Sequence, residues 1–194
     1  MAKKNGHNTK GKIINAAWKL FYEQGYEDTT VEEIISESQT SKGSFYHYFD
    51  GKDALLGSLS YLFDEKYMEL AETINLEDDS FDILMFLNKE LFTMIENSIS
   101  MELVARLYSS QIITRGERSL LDHDRFYYKL LKQIISSGRS RGQLSEDMTL
   151  NEQVKLYAMC ERAIIYDWCM SNGEYSLSEY SCKNMPVLLS KFKK

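Results

Sequence analysis

The chain has 194 residues, one proline, ten glycines and 43% hydrophobic residues, enough for one large domain or two small ones and the make-up of an all-helical globular protein. It contains no run of 18 apolar residues and no apolar segment behind its basic N-terminus, so neither a membrane span nor a signal peptide is expected. The net charge of −6 argues against nucleic-acid binding by bulk electrostatics, and three cysteines without a C-x-x-C pair or metal spacing point to a reducing, cytoplasmic setting.

The first helix is predicted from about Thr9 to Gln24, with Ile13, Ile14, Ala17, Leu20 and Phe21 on its buried face and Gly25 ending it. Residues 1–22 hold five lysines (Lys3, Lys4, Lys10, Lys12, Lys19) and no acid, a basic arm that either tracks a nucleic-acid backbone or is a solvated tail. A T-x-x-E capping box, Thr30 with Glu33, opens the second helix, and Val31, Ile34 and Ile35 give it one apolar stripe. Ser38, Gln39 and Thr40 break that periodicity, and Thr40 or Ser41 caps a third helix over about 41–48. There Phe45 and Phe49 point inward while Lys42, Gly43, Tyr46 and His47 point outward. A short helix with a donor-rich aromatic outer face, held by a capped helix before it, suits a DNA major groove: the pattern is a helix-turn-helix. All seven arginines lie at or beyond Arg106, so base contacts here fall to Lys42, His47, small hydroxyls and thymine-methyl packing. Gly43 costs about 1 kcal/mol against alanine in mid-helix, which either close approach of the backbone to DNA or loose packing would explain.

Asp50 is expected to cap a long fourth helix, with Asp53 at its third position, running through Leu55, Leu59, Phe63, Tyr67 and Leu70 to about Ile74. A fifth helix follows the polar break at 75–80, and a sixth carries Leu103, Val104, Leu107, Tyr108 and Ile112. Arg115 to Ser119 form another break before a seventh helix, roughly Leu120 to Ser137. At its start His123 lies between Asp122 and Asp124, a triplet read as helix capping over a metal or acid–base site, since no second ligand stands at metal spacing. The eighth helix, about Leu150 to Asn172, is apolar nearly all round between Leu156 and Met170, so one side needs a partner; Ile165 and Trp168 are the positions nominated for its outward side. The ninth covers about Ser176 to Phe192, with a kink or a fresh start expected at Pro186. No catalytic motif, metal site or cofactor-binding signature appears.

From Ile13 to Leu56 the chain resembles the N-terminal domain of the tetracycline-repressor (TetR) family of transcription regulators. The shared pieces are the AA-x-x-LF run of the first helix, Gly25, the Thr29–Thr30 helix start and the Lys-Gly-x-Phe-Tyr-x-x-Phe-x-x-Lys signature from Lys42 to Lys52. The departure is in the turn, where Gln39 and Thr40 stand in place of the family's usual Gly and Val; a non-glycine in a left-handed turn costs about 1 kcal/mol. The RGQLSEDMT and IIYDWCMSNG segments resemble, more loosely, the family's C-terminal part. The resemblance implies an all-α fold of about nine helices: a helix-turn-helix DNA-binding domain at 1–55 and a ligand-binding and dimerisation domain at 56–194. It matches Tyr46, Tyr48, Lys52 and Thr30 to positions that grip phosphates, and Lys42, Gly43 and His47 to positions near bases; Ser41, at the helix start, completes the expected DNA-binding set. It also implies an effector pocket, for which Phe86, Met94, Tyr108, Tyr127, Tyr157 and Ile164 are nominated, a filled core being the bland alternative for each.

The function expected is a ligand-responsive DNA-binding regulator, a homodimeric repressor released from a palindromic double-stranded operator by a small, mostly apolar effector. Two other classes stay open: a helical small-molecule-binding protein or enzyme whose DNA-binding domain is non-functional, and a purely protein-binding regulator.

Overall fold

The computed structural model describes residues 3–114 and 118–194, with side chains from Thr9 onward; the lysine side chains expected to act at positions 3 and 4, and most of the break at 115–119, lie outside the described residues. Ten α-helices fill the described chain, and the expected nine are recovered once the fourth is recognised as two segments. The chain divides into two compact units: the described residues up to Leu59 with those of Ser110–Leu120, and Ser60–Ser109 with Leu121–Lys194.

In the first unit, α1 (Lys3–Gln24) begins earlier than the expected Thr9. Its core face is Ile13, Ala16, Ala17, Trp18 and Phe21, whereas Ile14 and Leu20 are half-buried. Gly25, at φ 89°, makes the left-handed turn that ends it. α2 (Val31–Glu37) carries both arms of the Thr30–Glu33 capping box, and Ile34 is fully buried. The chain reverses through Gln39 at φ 52°, and α3 (Lys42–Tyr48) follows with the Ser41 hydroxyl accepting from the Ser44 N–H. Phe45 and Phe49 face inward as the spacing required.

The fourth helix departs from expectation. It is α4 (Lys52–Leu56) and α5 (Leu59–Ala71), separated at Gly57 and Ser58. The Ser58 hydroxyl donates to the Leu55 carbonyl (2.5 Å) and accepts from the Trp18 indole N–H (2.9 Å), so a side chain 40 positions away holds the break. Asp50 is not the cap: α4 starts after Gly51 with no side-chain cap, and Asp53 instead accepts from the Tyr26 hydroxyl.

In the second unit, α6 (Ser80–Ser98) packs against α8 (Phe126–Ser140) and α10 (Leu177–Leu188), and α9 (Leu150–Met170) packs against both of those; α7 (Met101–Ile113) precedes α8. The α6–α8 contact is close enough that a Cβ on Gly138 would lie 2.6 Å from the Ser80 Cβ. The helix predicted from Leu120 starts at Phe126, after a short 3-10 turn at Ser119–Leu121. The Asp122–His123–Asp124 triplet does not cap it. Asp122 accepts the Asp124 N–H locally, while Asp64 of α5 reaches over to accept the Tyr127 N–H in the first turn of α8. α9 opens with a second complete capping box, Thr149 with Glu152. Ile165 and Trp168, nominated for its outward side, are 3% and 5% exposed within the single chain; Met159, Ala163, Tyr166 and Met170 face out instead. α10 runs through Pro186 to Leu188, so no new helix begins there: near a C-terminus the proline deletes only one ladder bond, and Leu189 N–H closes onto the Met185 carbonyl. Among the described helices none is long and apolar enough to cross a membrane.

Candidate nucleic-acid interface and a buried polar cluster

The outer face of α3 is built from one side of a single short helix. Lys42, Gly43, Tyr46 and His47 are exposed, Tyr48 is half-buried, and Ser41 and Thr30 stand exposed at the starts of α3 and α2. Tyr46 packs edge-on against buried Phe45, and His47 against Tyr48, so the outward aromatics have a supported orientation. The Lys42 ammonium stands 5.9 Å from the Tyr46 ring centroid and 3.6 Å from Glu32, a contact whose partners are 69% and 71% exposed and which therefore holds it weakly. A Cβ on Gly43 would meet only the Ser41 hydroxyl at 3.9 Å. Among the described residues nothing crowds that position, so a surface open to close approach from outside and loose packing both fit a glycine there.

Lys52, expected to grip a phosphate, is placed differently from its neighbours. Its ammonium donates to the backbone carbonyls of Tyr26 (2.6 Å), Thr29 (2.9 Å) and Glu27 (3.2 Å) and lies 4.3 Å from the Tyr26 ring centroid. Lys19 pairs with Glu37 at 2.6 Å beside an open cleft of about 340 Å³ lined by Lys12, Asn15, Lys19, Glu37, Ser38 and Gln39.

In the second unit, Tyr127 and Tyr157 of the nominated pocket set come together around Glu161 of α9. The Glu161 carboxylate accepts from the Tyr127 hydroxyl (2.5 Å), the Asn88 amide (3.0 Å) and, more distantly, the Tyr67 hydroxyl (3.4 Å). Burial pushes its pKa above the usual carboxylate value, and the hydrogen bonds from Asn88 and the tyrosines pull it part of the way back. Burial likewise raises all three tyrosines, with the Glu161 charge adding to the effect. The Tyr157 hydroxyl also donates to the Leu84 carbonyl at 2.7 Å, and Asn88 accepts from the Ser181 hydroxyl of α10. Tyr108 and Ile164 are buried, Met94 is half-buried, and Phe86 is 40% exposed. Sequence reasoning missed Glu161, Asn88 and Tyr67 as a group. The available signal was an acid in the middle of a helix that is otherwise apolar nearly all round, since a buried charge persists only with partners.

Residues 13–59 match the family model described as bacterial regulatory proteins, tetR family. An uncharacterised HTH-type transcriptional regulator of Bacillus subtilis, YuxN, is 38% identical over 86 residues, covering 44% of this chain but only 28% of that protein. The fatty acid metabolism regulator protein of the same organism is 24% identical over 187 residues, 92% of this chain and 93% of that one. Among solved structures, Thermus thermophilus FadR, a TetR-family transcriptional repressor in complex with lauroyl-CoA, superposes with a TM-score of 0.75 at 22% identity over 93% of each chain, a likeness of fold. Over residues 13–59 the chain is thus similar to the tetR family of bacterial regulatory proteins, and over nearly its whole length it shares the fold of a TetR-family repressor.

Proposed function

We propose that this chain is a DNA-binding transcriptional regulator whose residues 1–55 hold the operator and whose residues 56–194 bind an effector and dimerise. The observation that carries the reading is the α3 outer face: exposed Lys42, Tyr46 and His47 around a glycine that no internal contact requires, on a frame capped at both helix starts. Tyr46, Tyr48 and Thr30 serve phosphates; Ser41, Lys42, Gly43 and His47 lie against base edges. Dimerisation through α9 and α10 is supported by exposed apolar residues, Met159, Ala163, Tyr166 and Met170 on one helix and Tyr180, Val187 and Leu188 on the other. A two-fold pair of such domains reads a palindromic operator.

The regulator acts as a repressor released by a small, mostly apolar molecule. The Thermus relative bound to lauroyl-CoA makes a fatty acyl-CoA the first effector to test. Effector and operator then oppose each other by one coupling free energy, typically about 1–3 kcal/mol. The test is fluorescence anisotropy on a duplex that the protein itself selects from a random library, with and without lauroyl-CoA. Selection of a palindromic duplex, with weaker binding once lauroyl-CoA is added, is expected. Failure to select any duplex would overturn the DNA-binding reading. Unchanged affinity in the presence of demonstrably bound lauroyl-CoA would overturn the release mechanism and move weight to a constitutive DNA-binding protein.

A further inference from the structure

We propose that Lys52 serves operator binding as a positioning residue, by clamping the turn that leads into α2, and makes no phosphate contact of its own. The proposal rests on the DNA-binding reading above. An ammonium has three protons, and here the three backbone carbonyls of Tyr26, Glu27 and Thr29 stand within hydrogen-bond reach to accept them. The aliphatic stem brings that charge against the face of Tyr26, so the cation is held by a ring as well as by the three oxygens. Asp53, next in sequence, takes the hydroxyl of the same tyrosine. The first turn of α4 thus grips Tyr26 at its carbonyl, its ring and its hydroxyl.

What the clamp holds is the run from Gly25 to Thr30. Within it the Thr29 hydroxyl donates to the Gly25 carbonyl at 2.7 Å, the Gln24 amide donates to the Asp28 carbonyl at 3.1 Å, and Thr30 is the capping residue of α2. Three carbonyls converging on one point repel one another unless a cation sits between them, and Lys52 is that cation. A phosphate would have to take the ammonium away from three oxygens that are already in place. The alternative donors for phosphate on this unit, Lys42 and Tyr46, are exposed. Lys52 therefore fixes where the start of α2 stands relative to α4, and through α2 the seat of α3, on which the exposed face lies.

The proposal separates from a phosphate contact by salt dependence, because a phosphate-bound lysine releases counterion and a carbonyl-bound one does not. Binding to the self-selected duplex is measured by anisotropy at 10 °C between 50 and 200 mM salt for the unmodified protein, Lys52→Met, Lys52→Arg and Lys42→Met. Methionine keeps the stem and removes the charge; arginine keeps the charge in a planar fork that cannot address all three carbonyls. Lys52→Met is expected to weaken binding by about tenfold at every salt concentration with the log–log slope unchanged, and Lys52→Arg to recover part of the loss. Lys42→Met is expected to flatten the slope by roughly 0.9 per protomer. Amide exchange at Thr30 to Ile34 in the free protein should speed up in Lys52→Met. A flatter slope in Lys52→Met would establish a phosphate contact and overturn the proposal. Unchanged affinity at 10 °C would reduce Lys52 to a stability role, which also overturns it. If no duplex is selected, the functional reading fails on its own, and unchanged exchange at Thr30 to Ile34 would then overturn the clamp separately.

Discussion

Removing Asp64 should damage the second unit more than any comparable polar substitution. Its carboxylate accepts from Arg125 Nε (2.9 Å) and Nη2 (3.0 Å) and from the Tyr127 backbone N–H (3.2 Å), while Arg125 Nη2 also donates to the Ser60 carbonyl (2.8 Å). The two side chains are 6% and 7% exposed, so this is a desolvated, bidentate pair that also caps α8 from another helix. Asp64→Ala strands a buried guanidinium and an uncapped N–H, a loss of about 3–5 kcal/mol. Arg125→Met strands the carboxylate at a similar cost. The double variant Asp64→Leu, Arg125→Met leaves no buried charge. It lacks the α8 cap and the Ser60 carbonyl contact, each worth about 1 kcal/mol, together with the guanidinium's contact on the Tyr127 ring, and should lie within roughly 3 kcal/mol of the unmodified protein. Urea unfolding followed by circular dichroism would therefore give a coupling energy of several kcal/mol between two strongly destabilising single changes. A double variant as unstable as the sum of its parents would refute the reasoning, because the pair would then not be what strands the charges.

Three further outcomes follow from particular residues. Because burial raises the Glu161 pKa in the folded protein, the folded state keeps a proton that the unfolded chain has released above about pH 4.3; wild-type stability falls as pH rises above that point, so the urea midpoint of Glu161→Gln should gain on the wild type as pH is raised from there towards neutrality. A gap that narrows over that range would contradict the assignment. Gln39 sits at φ 52°, so Gln39→Gly should raise thermal stability, with a gain of up to about 1 kcal/mol; a loss would mean that the glutamine side chain contributes more than its backbone strain costs. Met159 and Tyr166 are 49% and 48% exposed within the chain, so Met159→Glu with Tyr166→Glu should leave helicity intact while converting a dimer to monomers in light scattering at micromolar concentration; a dimer that persists would move the interface off α9.

The first unit was legible in the sequence because its signals are local. A capping box, a phenylalanine pair four apart and a turn in left-handed conformation each act within a few residues, and each stands where its spacing put it. The second capping box, Thr149 with Glu152, shows the same rule, since a helix start after RGQLSED needed only local chemistry. What stayed hidden is made by residues far apart. The break at Gly57 and Ser58 depends on the Trp18 indole, and the start of α8 depends on Asp64, so neither has a sequence-local cause. Lys52 shows the limit for site residues. Its match to a phosphate-gripping pattern was visible, but the carbonyls that engage it belong to the backbone of residues 26–29, whose direction no side-chain pattern reports. The outward side of α9 was not legible for a related reason: with apolar residues nearly all round, periodicity cannot tell which stripe is covered by the chain itself.

On the DNA-binding reading proposed above, the acidic balance of the whole chain bears on how it would hold an operator. Residues 1–59 contain seven lysines and eight acids, so even the segment proposed to bind DNA carries no excess of positive charge. Of its lysines with described side chains, Lys19 is paired with Glu37 and Lys52 is held by carbonyls. That leaves Lys10, Lys12 and Lys42 for phosphates, or about six contacts in a dimer, and at about 0.9 counterion each the log–log salt slope should be near −5. The hydroxyl contacts proposed for Tyr46, Tyr48 and Thr30 would add affinity without releasing counterions, raising binding at all salt concentrations and leaving the slope alone. The measurement belongs in a Lys3→Gln, Lys4→Gln variant, which removes the two lysines whose side chains are not described. A slope near −5 means that this unit holds DNA by neutral hydrogen bonds and shape more than by charge, the arrangement an acidic protein requires. A slope steeper than about −9 would need all five remaining lysines of each protomer on phosphates, and would return Lys19 and Lys52 to direct contact.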